Sequence, residues 1–135
     1  MIRTFLDAGV LIAAFRSINA ASTPALTLLD DPERVFVTTH FVRLEVLPKP
    51  LYFRRPTEAE FYEAFFASAE FVEVSQALVS EAFDEARRAG LAAMDALHVA
   101  AAKRVGVDEF ITVERPTKPV FRVAGLTVRA LESVS

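Results

Sequence analysis

Four carboxylates stand at the joints between apolar runs of this 135-residue chain. Asp7 follows Ile2 to Leu6, Glu45 lies in an apolar stretch after Arg34 to Thr38, Asp95 opens an alanine-rich stretch, and Glu114 follows Val107 to Thr112. Gathered in one place without a cation, such acids repel and raise one another's pKa. An all-oxygen donor set suits a hard divalent ion, Mg²⁺ or Mn²⁺, which keeps several waters and recruits phosphate. Zinc is poorly served, because there is no cysteine and only His40 and His98. Each acid also has a plain structural explanation. Asp7 and Asp95 can cap helices, Glu45 can pair with Lys49 four residues on, and His98 reads as a core or supporting histidine rather than a ligand.

Whether the acids meet depends on the elements that carry them. Ile2 to Leu6 reads as a buried strand, Asp7-Ala8-Gly9 breaks it, and Val10 to Phe15 resumes as helix. That is the opening of a βαβ unit with Asp7 at the strand's carboxyl end, the edge where open parallel sheets bind ligands. Residues 19 to 33 are turn-rich, with Ser22-Thr23-Pro24 starting a short helix through Leu29 and Asp30-Asp31-Pro32 ending it. Arg34 to Thr38 is a second strand. Thr39 caps a helix from His40 to Leu47 that Pro48 and Pro50 halt.

Thr57 and Glu60 have capping-box spacing for an aromatic helix carrying Phe61, Tyr62, Phe65 and Phe66. Phe71 to Val74 is a third strand, and Ser75 caps a helix from Gln76 to Ala89 that Gly90 stops. The next helix opens at Asp95 and closes at Lys103, Arg104 and Gly106. It is nearly apolar all round, as a helix packed on several sides must be. A fourth strand spans Val107 to Thr112, Arg115 to Pro119 is a rigid basic loop, and Val120 to Val123 and Leu126 to Arg129 are short extended runs. The alternation gives an α/β domain with a largely parallel sheet. If strands one, two and four are neighbours, all four acids converge.

Composition sets the outer bounds. A 53% hydrophobic content over 135 residues fits one compact domain spanning 1-135. The absence of cysteine and of any signal-like or membrane-length apolar run points to the cytoplasm and no membrane contact. A net charge of −3 argues against coating nucleic acid by bulk attraction, though not against a local basic rim.

Phe5-Leu6-Asp7-Ala8-Gly9-Val10-Leu11-Ile12, then Arg43-Leu44-Glu45-Val46, Asp95-Ala96-Leu97 and Phe110-Ile111-Thr112-Val113-Glu114 together resemble the PIN domains, most nearly the compact bacterial VapC type. The resemblance covers essentially the whole chain. It implies a three-layer sandwich around a mostly parallel sheet of about five strands, and a metal-dependent endoribonuclease. It further implies Mg²⁺ or Mn²⁺ held by Asp7, Glu45, Asp95 and Glu114, with Thr112 as a supporting hydrogen-bonder. A homodimer and a small antitoxin partner are also implied, and the aromatic stretch from Tyr52 to Phe66 is where such contacts would fall. Two departures stand out, a glutamate at 114 where aspartate is usual and Ala8 where a small polar residue is common.

In such an enzyme one ion, or two about 4 Å apart, lowers the pKa of bound water and neutralises charge on the phosphoryl transition state. Arg43, Lys49, Arg115, Lys118 and Arg122 are the cations available to hold RNA, and nothing in the chain reads bases. Two other classes compete. A phosphoacceptor signalling domain would need an acidic pair after the first strand and an aspartate after the third, where this chain has Asp7-Ala8 and Val74-Ser75. A degenerate PIN module would bind RNA or a protein without cutting.

Overall fold

The computed structural model describes residues 1–17 and 23–134, so the part of the expected turn between 18 and 22 lies outside the described residues. Five strands, β1 (Ile2–Leu6), β2 (Arg34–Thr38), β3 (Glu70–Phe71), β4 (Glu109–Thr112) and β5 (Val128–Ala130), form one sheet in the order β3-β2-β1-β4-β5. Every pairing is parallel. A sheet covered on both faces must be apolar along its whole length rather than on alternate residues. Phe5, Leu6, Val37, Phe110 and Ile111 accordingly pack into one core.

Among the described residues seven helices supply the covering: α1 (Ala8–Arg16), α2 (Pro24–Leu29), α3 (His40–Val46), α4 (Pro48–Tyr52), α5 (Pro56–Ser68), α6 (Gln76–Ala89) and α7 (Ala93–Val105). Chain direction across the sheet reverses between the β1–β2–β3 half and the return to β4. Right-handed crossovers therefore place α1, α2 and α5 on one face and the α6–α7 pair on the other. α7 carries Ala96, Ala100, Ala101 and Ala102, all buried, and packs on α6, α3 and β2. Side chains this small bring helix and sheet backbones close together, at the cost of the packing area that larger ones would supply.

The strands are also tied at their amino ends. Glu109, buried at the start of β4, accepts hydrogen bonds from Arg34 Nε (2.8 Å), Arg129 Nη1 (2.8 Å) and Thr4 Oγ1 (2.6 Å). Arg34 also pairs with Asp31, so the polar turn at 30–32 is fastened to the sheet. One carboxylate thus connects β1, β2, β4 and β5 far from the edge where Asp7 lies.

Several local expectations need correction. The helix from His40 ends before Pro48 as expected, but Pro48 also begins α4, since a proline at the first helical position lacks only an N–H that would be unbonded anyway. The Thr57–Glu60 capping box does not form, because Pro56 occupies the first helical position and Arg55 is the cap, with no side-chain bond. The third strand is only Glu70–Phe71, and Pro119–Arg122 is a 3-10 turn rather than an extended run. α1 begins at Ala8, taking in the residues expected to separate strand from helix. α7 starts two residues before Asp95, with Ala92 as its cap. Gly90 (φ 73°) and Gly106 (φ 66°) are left-handed stops, as expected for α6 and α7.

Candidate active site

The strand order places β1 between β2 and β4, with connections leaving in opposite directions. That makes the carboxyl end of β1 the topological switch point, where parallel α/β sheets open a crevice. Asp7 is the first residue beyond β1. Its Oδ1 accepts from Val10 N at 3.2 Å, so the helix-cap reading of Asp7 is right as far as it goes. Its Oδ2 accepts from the Thr112 hydroxyl at the end of β4, and Thr112 Oγ1 in turn accepts from the Glu114 amide at 3.1 Å. One hydroxyl therefore sets the first acid and the backbone of the last.

Gly9 makes that closeness possible. A Cβ there would meet Val113 Cγ2 at 2.5 Å, so any larger residue would force the Val113 side chain or α1 to shift.

Burial drives the Asp7 pKa up from 3.8 to about 6, against the hydrogen bonds from Thr112 and Val10 and the nearby His98, while the negative charge of Asp95 adds to the rise. Asp95 lies in the first turn of α7, where it makes no cap bond, so helix capping does not explain it. Its pKa is also raised, mainly by loss of solvent around it, opposed by His98 and reinforced by Glu114 and Glu45. Asp95 thus lies within electrostatic reach of each of the other three acids at this edge of the sheet.

Glu45 does not pair with Lys49. It meets His98 Nε2 instead, on the next turn of α7 after Asp95. His98 is 2% exposed and tilted against the Phe5 ring, and its Nδ1 has no partner. The reading of His98 as a supporting residue agrees with this placement, and the apolar run around it with Asp95 three positions earlier was the signal. Its partner was not legible, because Glu45 and His98 are 53 residues apart.

The acids share an edge without forming a finished cage. Among the described residues no three His, Asp or Glu side chains are grouped as a ready metal-binding set. The donor chemistry nevertheless fits a hard ion, which is commonly held by one or two carboxylates and completes its shell with water and substrate oxygen. The expected cations are more scattered. Arg43 pairs with Glu63 at 3.1 Å, Lys49 is exposed on α4, and Arg115 and Lys118 are exposed in the loop after Glu114. Arg122 reaches Ala89 O at 3.4 Å.

The PIN domain family model matches residues 4–115. The chain belongs to the PIN domain family. Solved structures with the same PIN fold include a chain of the VapBC2 complex of Rickettsia felis bound to a DNA fragment from its promoter. That match has a TM-score of 0.73 and 14% identity, covering 96% of this chain and 98% of that one. A toxin-antitoxin complex from Klebsiella pneumoniae matches with TM-score 0.72 and 18% identity over 95% and 97% of the two chains. FitAcB from Neisseria gonorrhoeae matches with TM-score 0.62 and 18% identity over 96% and 99%. A search among curated proteins gives no match.

Proposed function

We propose that this PIN domain is a divalent-metal-dependent endoribonuclease, the toxin partner of a toxin-antitoxin pair. The observation that carries the proposal is Asp7, a half-buried carboxylate fixed by Thr112 at the switch point, whose charging is opposed by loss of solvent and by Asp95. A fold that needed only a helix cap would gain nothing from placing a second acid within its electrostatic reach. The family model and the VapBC neighbours support the same reading.

Asp7 and Asp95 would hold the ion, with Glu45 and Glu114 completing the acidic set. A bound Mg²⁺ or Mn²⁺ would supply a water of lowered pKa and positive charge opposite the phosphoryl oxygens. Within the protein, Thr112 keeps Asp7 in one orientation, and His98 does the same for Glu45. A carboxylate free of its own hydrogen bonds can accept the proton of the attacking water. Glu114, exposed and reached only through its backbone amide by Thr112, is the most weakly placed of the four.

Partner contacts have a surface available. Leu44 (64% exposed), Leu51, Tyr52 (80%) and Phe53 lie open on α3, α4 and the turn after it, whereas Tyr62, Phe65 and Phe66 are buried. The aromatic stretch thus divides into a core half and an outward half. We assign the outward half to the homodimer or antitoxin contact, because exposed aromatic and aliphatic anchors of this kind are enriched at such surfaces.

The test is cleavage of a single-stranded RNA with Mg²⁺ or Mn²⁺, run beside Asp7→Asn and Asp95→Asn. The wild type should cut and both variants should lose at least about a hundredfold in rate. Activity surviving both substitutions would overturn the reading. RNA binding without cutting by the wild type would establish the degenerate module instead.

A further inference from the structure

Where α6, α7 and the 3-10 turn Pro119–Arg122 come together, they enclose a cleft of about 270 Å³ whose charged lining is Arg88, Lys103, Arg122 and Glu85. Three cations face one acid there, in a chain whose overall charge is −3. Glu85 is buried and takes Lys103 Nζ at 2.6 Å, while Arg88 stands 3.6 Å from its other oxygen. One carboxylate can neutralise one of these cations, so two positive charges remain unmatched. Arg122 spends one N–H on Ala89 O at 3.4 Å and otherwise faces solvent.

The position of the cleft matters as much as its charge. Ala89 ends α6, and Gly90, Leu91 and Ala92 lead directly into α7, whose first turn carries Asp95. Gly90 adopts φ 73°, and even a Cβ there would stay 3.8 Å from the Arg122 guanidinium. From the other side, Glu114 runs into the loop bearing exposed Arg115 and Lys118 and then into the turn that ends at Arg122. Asp95 in the first turn of α7 and Lys103 in its last turn thus stand eight residues apart on one helix, about 12 Å along its axis.

We propose that this cleft is a phosphate subsite that holds the RNA strand one or more nucleotides away from the acidic centre. The inference rests on the ribonuclease reading for its substrate and adds where the flanking strand is gripped. Arg88 and Arg122 supply planar N–H forks matched to phosphate oxygens, and Lys103, oriented by Glu85, supplies a point charge. An acidic active site repels a polyanion, and a cationic anchor further along the same helix offsets that repulsion without placing a competing cation among the carboxylates.

The experiment is fluorescence anisotropy with a labelled single-stranded RNA 20-mer in EDTA, which prevents cleavage, across a series of salt concentrations. The wild type is compared with Arg88→Gln/Arg122→Gln, with the charge-conserving Arg88→Lys/Arg122→Lys, and with Arg104→Gln. Arg104 is an exposed cation paired with Glu81 at 2.6 Å and does not line the cleft. The double Gln variant should bind about tenfold more weakly and lose roughly 1.4 from the slope of log K against log salt, about 0.7 per phosphate contact. The Lys pair should keep the slope, which also separates lost contacts from lost folding, and Arg104→Gln should change it little.

Equal losses in the double Gln variant and Arg104→Gln would reduce the effect to overall charge and overturn the subsite. A parallel titration with inorganic phosphate separates a strand from a free anion. If phosphate raises the melting temperature of the wild type but not of the double Gln variant, while RNA affinity is the same in both, the cleft binds the free ion and the strand proposal fails. A wild type that binds with the expected slope but never cuts with Mn²⁺ would leave the subsite standing and remove the nuclease.

Discussion

Asp7→Asn should make the metal-free protein more stable at neutral pH, although it removes the group placed at the centre of the site. Asparagine keeps an acceptor for Val10 N and an amide for Thr112, so the local hydrogen bonds can survive while the charge is lost. In the folded protein the Asp7 pKa rises from 3.8 to about 6. The folded state therefore binds this proton more tightly than the unfolded chain does. That contribution to stability is fully present below pH 3.8 and is lost as pH rises through about 6. The loss amounts to roughly 3 kcal/mol, at about 1.4 kcal/mol per pH unit between the two pKa values.

Glu109 works in the opposite sense. Burial alone would raise its pKa, but hydrogen bonds from Arg34, Thr4 and Arg129 hold it below the usual value, so its contribution is lost as pH falls. It is common to both proteins and cancels in their difference. Urea unfolding in EDTA from pH 4 to pH 8 should show the two proteins nearly equal in acid. The variant should then gain steadily to about 3 kcal/mol near pH 7 and level off. A difference that stays flat within about 0.5 kcal/mol across that range would show that Asp7 is not desolvated by the fold, and the case for a site held ready for a cation would go with it.

Three further outcomes follow from the same geometry. Thr112→Val should cost about 1.5–3 kcal/mol in chemical unfolding at pH 7, because a half-buried carboxylate loses a hydroxyl donor; a loss below about 0.5 kcal/mol would show the bond contributes little. Mn²⁺ should raise the melting temperature of the wild type and raise that of Asp95→Asn much less, and equal shifts would mean that Asp95 does not share the ion. His98→Leu keeps the site apolar but frees Glu45, so Mn²⁺ affinity measured by calorimetry should fall about 10- to 100-fold. Unchanged affinity would make His98 a core residue only.

The sequence made the parallel α/β fold legible because its signals are local. Ser75 before α6, Thr39 before α3, Thr23 before α2 and the left-handed glycines 90 and 106 fix element ends within a few residues. It was least informative where a local signal had two outcomes. Pro48 reads as the stop of one helix and also starts the next, and the Thr57–Glu60 spacing reads as a capping box that does not form. The acids were legible as candidates because each stands within or at one end of an apolar run. Their partners were not, since Asp7 with Thr112 and Glu45 with His98 are contacts across 105 and 53 residues. Nothing local singles out Arg34, Glu109 and Arg129, and only the strand order brings them together as one network.

A crystal soaked in Mn²⁺, examined by anomalous scattering, tests most directly whether these carboxylates serve a common ion. The expected result is a peak at the carboxyl end of β1 within about 2.2 Å of oxygens from both Asp7 and Asp95. An empty edge at saturating Mn²⁺, or a peak bound to one of them alone, would contradict the account.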